Sequence, residues 1–298
     1  MTKTFTLMLL ALCMAFALLG CNGSFATTLS DNEINDLFAQ RLHSPAPPPD
    51  EKPVESISTN ETGRGLLRIC YVKQADVKHK LQVLCGNQHI EYNLKADGSI
   101  EDFSLQFGSG DYTARILQNE SGSNYFEVEA KTFDVSLSGE TIPFLNSVQN
   151  VRWAADMAPI KDVRKIIAPA LAHASDDSLP SECTRHLYNY ICTHITYDNE
   201  KTQNVDYNYV PDIEETYATG KGICYDYASL LASMLRSIGI PAKLVKGYAN
   251  ANPTVYHAWN EVYLNGSWHV IDTTLDASAG MTDTMFKSAS DYTKVSEY

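Results

Sequence analysis

Apolar residues follow different patterns in the two halves of this chain. Between residues 64 and 140, short segments alternate apolar with polar positions or run apolar, and turn sequences such as Asp97-Gly98 separate them. Period-two alternation is typical of half-buried β-strands. The pattern predicts strands at 66–72, 80–84, 89–94, 100–107, 112–117 and 125–135. Strands of this number and spacing predict a small all-β sandwich of the immunoglobulin or fibronectin III kind over 64–140, serving either as a structural spacer or in substrate or cell-wall binding.

Longer, helix-like patterns begin after residue 147. Apolar residues three and four positions apart predict helices at 160–171, 179–195 and 223–238. Strands are predicted at 242–249 and 256–264, and Asn265-Gly266 is a strong signal for a two-residue hairpin turn into a further strand at 267–273. The tyrosine-rich segment 204–217 is predicted to be a loop, and the tail after residue 277 carries no motif. Residues 147–298 are therefore expected to form a mixed α+β domain.

The N-terminal segment has the pattern of an export signal. Residues 5–19 are apolar except for Thr6, which is short for a membrane span and suits a signal-peptide core. Residues 18–21 resemble the bacterial lipobox, so we expect a signal peptide at 1–20 and lipidation of Cys21. The expected location is the outer face of a bacterial membrane, held by the lipid anchor; ordinary secretion and a retained anchor are the alternatives. The remainder of 21–63 is predicted to be a proline-rich linker, with one short amphipathic helix at 31–42.

Candidate chemistry is concentrated in the second half of the chain. Cys224 follows a glycine-containing turn and begins a predicted helix, where unpaired N–H groups and the helix dipole favour a thiolate. If Leu264 pairs with Ser267 across the hairpin turn, Asp272 becomes the diagonal, same-face neighbour of His257, roughly 7–8 Å away. A carboxylate in that position fixes one ring nitrogen of the histidine and leaves the other for the thiol.

Three stretches carry these candidate residues, and their order and spacing resemble the transglutaminase-like superfamily, which includes animal transglutaminases and many bacterial thiol proteases and amidases. They are Gly222-Ile223-Cys224-Tyr225-Asp226-Tyr227-Ala228, Tyr256-His257-Ala258-Trp259-Asn260-Glu261-Val262 and Trp268-His269-Val270-Ile271-Asp272-Thr273-Thr274. The resemblance covers about residues 151–277 and implies a papain-like domain. It also implies that Cys224 is the nucleophile, His257 the general base and acid, and Asp272 the orienting carboxylate.

The chemistry implied by this resemblance is attack of Cys224 on a protein or peptide amide to form a thioester. A primary amine resolves the thioester in a transglutaminase, and water resolves it in a protease or amidase acting on peptides or cell wall. A non-catalytic surface-binding module is the distant alternative. Backbone N–H groups at the helix start are expected to hold the oxyanion, with Tyr209 or Trp153 as candidates for a second donor.

Composition narrows the range of partners. A formal net charge of −13 argues against a nucleic-acid partner, because phosphate binding needs clustered Lys and Arg. No Cys-x-x-Cys, His-x-x-x-His or calcium-loop spacing occurs, so neither a metal nor another cofactor is expected. Cys70 and Cys85 fall in neighbouring predicted strands, and whether they pair stays open.

Overall fold

The computed structural model describes residues 29–48, 50–74, 76–206, 208–280 and 284–298. The predicted signal peptide and the predicted lipidation site, Cys21, lie outside these ranges. Within them, the predicted α+β class is confirmed, with an all-β part followed by a mixed part. Residues 31–298 form one compact unit, and the domain boundaries at 64–140 and 147–298 stay a prediction. Among the helices in the described ranges, none has the length and apolar character needed to cross a membrane.

All six strands predicted in the first half form, and a short one precedes them. The strands are β1 Ile57–Ser58, β2 Leu66–Ile69, β3 His79–Cys85, β4 Gln88–Leu94, β5 Glu101–Ser104, β6 Gly110–Ser121 and β7 Asn124–Val135. They make two antiparallel sheets, ordered β1-β2-β5 and β4-β3-β6-β7. The ring of Phe103 in the first sheet lies 4.7 Å from the ring of Tyr92 in the second, so apolar side chains of the two sheets meet in one core.

The predicted helices form, although one of them is divided in two, and three short helices form that the sequence analysis does not predict. They are α1 Asp31–Arg41, α2 Ala158–Ile166, α3 Ala168–His173, α4 Leu179–His194, α5 Asn199–Asn204, α6 Ile213–Thr219, α7 Cys224–Ser237 and α8 Thr273–Ala279. The single helix predicted over 160–171 is wrong: the chain breaks at Ile167, because Pro169 has no N–H to donate to the preceding turn. The loop predicted over 204–217 is wrong in its second half, where Asp212 caps α6 by accepting from the N–H of Glu214 at 2.9 Å.

A five-stranded antiparallel sheet carries the candidate residues. Its strands are β10 Ala242–Ala249, β11 Asn252–Leu264, β12 Ser267–Ile271, β13 Phe286–Lys287 and β14 Tyr292–Glu297, in the order β13-β12-β11-β10-β14. The predicted hairpin register is confirmed, with Leu264 opposite Ser267. The turn residues Asn265 and Gly266 have φ of 52° and 84°, as a type I′ turn requires. The tail, in which the sequence shows no motif, supplies the edge strand β14.

Helix α7 packs against β10 and β11 and is anchored at its end by a fully buried arginine. Arg236 donates hydrogen bonds to the carbonyls of Ala242 at 2.8 Å, Asn146 at 2.7 Å and Tyr298 at 2.7 Å. These carbonyls belong to β10, to the segment that follows the all-β part, and to the last residue of the chain. Because a buried guanidinium needs its donors satisfied, Arg236 fixes the helix relative to all three segments.

Helix α1 lies within the segment predicted to be a linker. Its apolar residues Ile34 and Phe38 are buried, and the guanidinium of Arg164 on α2 lies 4.4 Å from the centre of the Phe38 ring. Arg41 at the end of α1 donates to the carbonyl of Leu171 on α3 at 2.5 Å. This part of 21–63 is therefore folded against α2 and α3 instead of extending away from them.

Candidate active site

Cys224 is the first residue of α7, as the sequence predicts. Ile223 precedes it in an extended conformation, so the first N–H groups of the helix have no acceptor within the helix. The buried carboxylate of Asp226 accepts from the N–H of Ile223 at 2.8 Å and from the hydroxyl of Tyr209 at 2.5 Å, and it lies 3.1 Å from Nζ of Lys201. Asp226 therefore fixes the conformation of the turn that precedes Cys224, and with it the position of the thiol. Sequence reasoning missed this role, although an acidic residue in the first turn of a helix is a capping signal.

Gly222 completes this turn. It lies in the short strand β9 Lys221–Gly222, which pairs in parallel with β8 Thr196–Tyr197. A Cβ atom at position 222 would lie 2.7 Å from the Cβ of Asp226, closer than two carbon atoms pack without displacement. Position 222 thus requires glycine, because Asp226, which fixes the start of the helix, approaches it closely.

The structure brings His257 and Asp272 together, as the hairpin register predicts. Nε2 of His257 lies 2.8 Å from Oδ2 of Asp272. Asp272 is only 1% exposed, and it directly follows β12, where its Oδ1 accepts from the N–H of Leu275 at 3.0 Å to cap α8. Because both carboxylate oxygens are hydrogen-bonded, the orientation of the carboxylate toward the imidazole is fixed.

His257 also lies beside Cys224: the thiol affects the pKa of the imidazole, and both side chains line the same cleft. Since Nε2 is used by Asp272, Nδ1 is the ring nitrogen left for the thiol. Burial lowers the pKa of His257, but the hydrogen bond to Asp272 and the charge of this carboxylate, together with the neighbouring Cys224, outweigh burial and raise the pKa to about 10. The imidazole is therefore protonated at neutral pH, in the form that accompanies a thiolate.

Tyr292 is a fourth member of the site that sequence reasoning missed. Its hydroxyl donates to the same Oδ2 of Asp272 at 3.0 Å, and its ring lies 4.9 Å from the ring of Trp259. Trp259 in turn lies 6.3 Å from the His257 ring, with the two planes 25° apart. Burial raises the pKa of Tyr292, so its hydroxyl stays a hydrogen-bond donor. Nothing local marks this tyrosine, because it reaches the site through the pairing of β14 with β10.

A cleft of about 510 Å³ opens beside Cys224 and His257. The mixed α+β part supplies most of its lining, including Tyr209, Tyr225 and Tyr256. The all-β part supplies a further portion of the wall: Lys80, Glu91, Tyr92 and Asn93. A substrate in this cleft would therefore contact both parts of the chain, which favours substrate binding over a purely structural role for the all-β part.

The two side chains predicted as candidates for a second oxyanion donor do not fill that role. Tyr209 lines the cleft, but its hydroxyl hydrogen is given to Asp226. Trp153 is buried beside a different cavity, where its Nε1–H has no partner among the described residues. Neither side chain is in a position to donate to an oxyanion at Cys224, and the backbone N–H groups that the sequence analysis expects to do so lie at the start of α7.

The cysteines within the described ranges all have free thiols: Cys70, Cys85, Cys183, Cys192 and Cys224. The pairing of Cys70 with Cys85, left open by the sequence, is not formed, and the Cys70 thiol donates to the carbonyl of Gly98 at 3.4 Å. Burial raises the pKa of Cys183 and of Cys192 to about 12, so both thiols stay protonated. In the same ranges, no cluster of three or more His, Cys, Asp or Glu side chains is arranged to hold a metal ion.

Comparison with known proteins identifies the part of the chain that carries this site. The family model described as the transglutaminase-like superfamily matches residues 167–273. Kyphoscoliosis peptidase from Mus musculus is 33% identical over 133 residues, which are 41% of this chain and 19% of that protein. Kyphoscoliosis peptidase from Homo sapiens is 31% identical over 144 residues, which are 45% of this chain and 21% of that protein. This chain thus spans about a fifth of the length of these curated relatives.

Among solved structures, a candidate cysteine protease from Cytophaga hutchinsonii aligns with a TM-score of 0.38 and 16% identity, covering 78% of this chain and 76% of that one. The matched range 167–273 includes Cys224, His257 and Asp272. Residues 167–273 of this chain, which carry the candidate site, are thus similar to the transglutaminase-like superfamily.

Proposed function

We propose that this protein is an exported, membrane-anchored thiol enzyme that transfers or hydrolyses the acyl group of a protein or peptide amide through Cys224. The observation that carries the proposal is the arrangement of Cys224 and His257 at one cleft of about 510 Å³, with the imidazole held by Asp272 at 2.8 Å. A nucleophile, a base and a group that orients the base are the three elements such chemistry needs.

In the proposed reaction, the Cys224 thiolate attacks the amide carbonyl carbon, and the carbonyl oxygen becomes an oxyanion. Backbone N–H groups at the start of α7, including that of Cys224, donate to the oxyanion. The His257 imidazolium protonates the departing amine or ammonia as the C–N bond breaks, which leaves a thioester on Cys224. A primary amine or water then attacks the thioester, its proton passes to His257, and the C–S bond breaks, which releases the new amide or the acid and restores the Cys224 thiolate.

Hydrolysis and amine transfer differ only in the second half of this reaction. Amine transfer requires that an amine reach the thioester before water does. One observation favours hydrolysis: the curated relatives, 33% and 31% identical over their matched ranges, are named peptidases. A peptidase or amidase acting on peptides or cell wall is therefore the second candidate function.

A non-catalytic binding module is the remaining alternative, and the geometry of Asp272 argues against it. Both oxygens of this carboxylate are committed, one to capping α8 and the other to His257 and Tyr292. A buried carboxylate is costly unless it is fully hydrogen-bonded. A surface used only for binding would not need a buried carboxylate, Asp272, that holds the imidazole of His257 beside the thiol of Cys224.

The test compares the purified protein with Cys224→Ala, each incubated with a glutamine-rich protein and a fluorescent primary amine. Amine incorporation and new peptide termini are both measured. Label incorporated by the unsubstituted protein alone supports acyl transfer, and new termini or ammonia without label support hydrolysis. If neither product forms and Cys224 reacts with iodoacetamide no faster than a free cysteine, the proposed function is wrong.

Export and anchoring are supported by the apolar run at 5–19 and by the lipobox-like residues 18–21. A cell that carries the protein is grown with a radiolabelled fatty acid, and label is followed in the protein and in Cys21→Ser. Label that is lost in Cys21→Ser and retained in the control Cys13→Ser supports the anchor. Unlabelled protein recovered from the medium supports ordinary secretion instead.

A further inference from the structure

Lys246 is a cation inside the cleft that no sequence motif includes. It lies on β10 opposite Ala258 and next to Gly247, which is the strand partner of His257. Its side chain lines the same cleft as Cys224 and His257. The position therefore places an ammonium group in the space that a substrate of Cys224 would occupy.

The immediate surroundings of this ammonium group are aromatic. Nζ of Lys246 lies 3.5 Å from the centre of the Tyr225 ring and 5.2 Å from the centre of the Tyr298 ring. Such contacts with ring faces stabilise a cation only in part. Because these contacts supply no counter-ion, an anion bound in the cleft that Lys246 lines would stabilise the ammonium group.

Within the described part of the chain, Lys246 differs from the other lysines near the site in having no acidic partner. Lys243, on the same strand, lies 3.0 Å from Glu297, and Lys80, which also lines the cleft, lies 2.8 Å from Glu91. Among the ion pairs formed by the described residues, none includes Lys246.

An unpaired ammonium in this position carries a cost in the free protein. Burial lowers the pKa of Lys246 to about 8, against the opposing effect of the charge on Cys224. An apolar side chain of the same length would fill the space without this desolvation cost. A charged side chain that lowers the stability of the free protein and lies near a nucleophile is typical of a binding site.

We propose that Lys246 is the specificity-determining cation of this site, and that it binds a carboxylate carried by the substrate close to the carbonyl that Cys224 attacks. The substrate class is then an acidic peptide, whose carboxylate belongs either to an Asp or Glu side chain or to a free C-terminus. This inference deepens the proposed function and rests on it, but the position of the cation beside the thiol can be tested without any turnover.

The first test measures how fast Cys224 is alkylated by iodoacetate, which carries a carboxylate, and by iodoacetamide, which is its neutral counterpart. The ratio of the two rate constants at pH 7 reports on cations near the thiol, and the imidazolium of His257 contributes equally in every variant. In Lys246→Met, which keeps the length and removes the charge, we expect the ratio to fall at least about fivefold. Lys246→Arg should retain most of it.

Lys221→Met is the matched control, because it removes the same charge from an exposed residue of β9 that does not line the cleft. This control should leave the alkylation ratio within about twofold of the unsubstituted protein. A ratio that is unchanged in Lys246→Met overturns the proposal. So does an equal fall in Lys221→Met, because the effect would then come from net charge alone. A Lys246→Met variant that fails to fold is replaced in this comparison by Lys246→Gln.

The second test identifies the source of the carboxylate by peptide binding to Cys224→Ala, which cannot turn over. Fluorescein-labelled hexapeptides are compared in pairs with Glu or Met at one position, and each is made as a free acid and as a C-terminal amide. Tighter binding of Glu peptides that disappears in Cys224→Ala/Lys246→Met assigns a side-chain carboxylate, and the same loss on amidation assigns a terminal one. If no pair differs, the proposed specificity is wrong, even where the Cys224 chemistry of the proposed function is observed.

Discussion

Tyr292 donates a hydrogen bond to the same oxygen of Asp272 that His257 contacts, at 3.0 Å and 2.8 Å respectively. The tyrosine lies on the edge strand β14, which pairs with β10 on the far side of the sheet from β12. The carboxylate that orients the imidazole is therefore itself held by the last strand of the chain. The C-terminal tail is consequently part of the site, and cutting it away should disable the site even though the three motif residues remain.

Removing the hydroxyl of Tyr292 should lower kcat without preventing folding. In Tyr292→Phe the ring still packs on Trp259, but Asp272 loses one of its hydrogen bonds, so the carboxylate and His257 are less well oriented. We expect kcat to fall roughly five- to tenfold with little change in KM, since one hydrogen bond to a charged group is lost. The measurement is steady-state turnover of whichever substrate the amine and cleavage assays identify.

Tyr248→Phe is the matched control for this prediction. Tyr248 is a half-exposed tyrosine on the neighbouring strand β10, next to Gly247, and it does not contact Asp272. Its substitution should leave kcat within about twofold. Equal losses in the two variants would show that Tyr292 has no positioning role.

Neutralising Asp272 should lower the pKa of His257. In Asp272→Asn the charge and the carboxylate hydrogen bond are lost while burial remains, so the pKa should move from about 10 toward the ordinary value of 6.5 or below it. NMR titration of the His257 Cε1–H signal measures this directly. Asp276→Asn, on the same helix and equally buried, should leave the His257 pKa near 10.

The interaction of His257 with Asp272 also makes the unfolding free energy depend on pH. A pKa that is higher in the folded state than in the unfolded state stabilises the protein below the unfolded value, about 6.5, and this stabilisation is lost as pH rises through about 10. The difference in unfolding free energy between the unsubstituted protein and Asp272→Asn should therefore be largest below about pH 6.5, shrink as pH rises from there, and be lost above about pH 10. A difference that grows with rising pH would contradict the assigned titration.

The part of the site that could be predicted is the part encoded by local periodicity. The two-residue turn at Asn265-Gly266 fixes the register of the hairpin, and with it the meeting of His257 and Asp272. Cys224 at a helix start follows from the apolar spacing of α7. Each of these inferences needs only neighbouring residues or one short turn.

The part that could not be predicted depends on contacts between distant segments. Tyr292 and Lys246 enter the site through pairing of β14 with β10 and of β10 with β11, and no sequence spacing fixes which strand takes the edge. The break at Ile167 has a different cause, because Pro169 interrupts the hydrogen bonding of a segment whose apolar spacing is continuous on both sides of it. The main differences between the predicted and the observed structure thus come from pairing between distant strands and from the helix break caused by Pro169.

Adding a methyl group at position 222 should destabilise the turn that carries Cys224. In Gly222→Ala the new Cβ would lie 2.7 Å from that of Asp226, so the helix start must shift. We expect a loss of about 1–3 kcal/mol in unfolding free energy and slower alkylation of Cys224. Gly63→Ala is the control, because no atom lies within 4 Å of a Cβ at that position. Urea unfolding and iodoacetamide kinetics give both numbers, and equal values for the two variants would contradict the crowding argument.

Helix α1 should contribute measurably to the stability of the folded unit, although it lies in the segment predicted to be a linker. Phe38 is 5% exposed and packs under Arg164 of α2, so Phe38→Ala should cost about 3 kcal/mol in unfolding free energy. Phe126, on β7, is 46% exposed, and Phe126→Ala should change stability by less than about 0.5 kcal/mol. Urea denaturation followed by tryptophan fluorescence measures both, since Trp153 lines the cavity beside Phe38. A loss in Phe38→Ala no larger than that in Phe126→Ala would mean that α1 is a detached spacer after all, and that the catalytic half is stable without it.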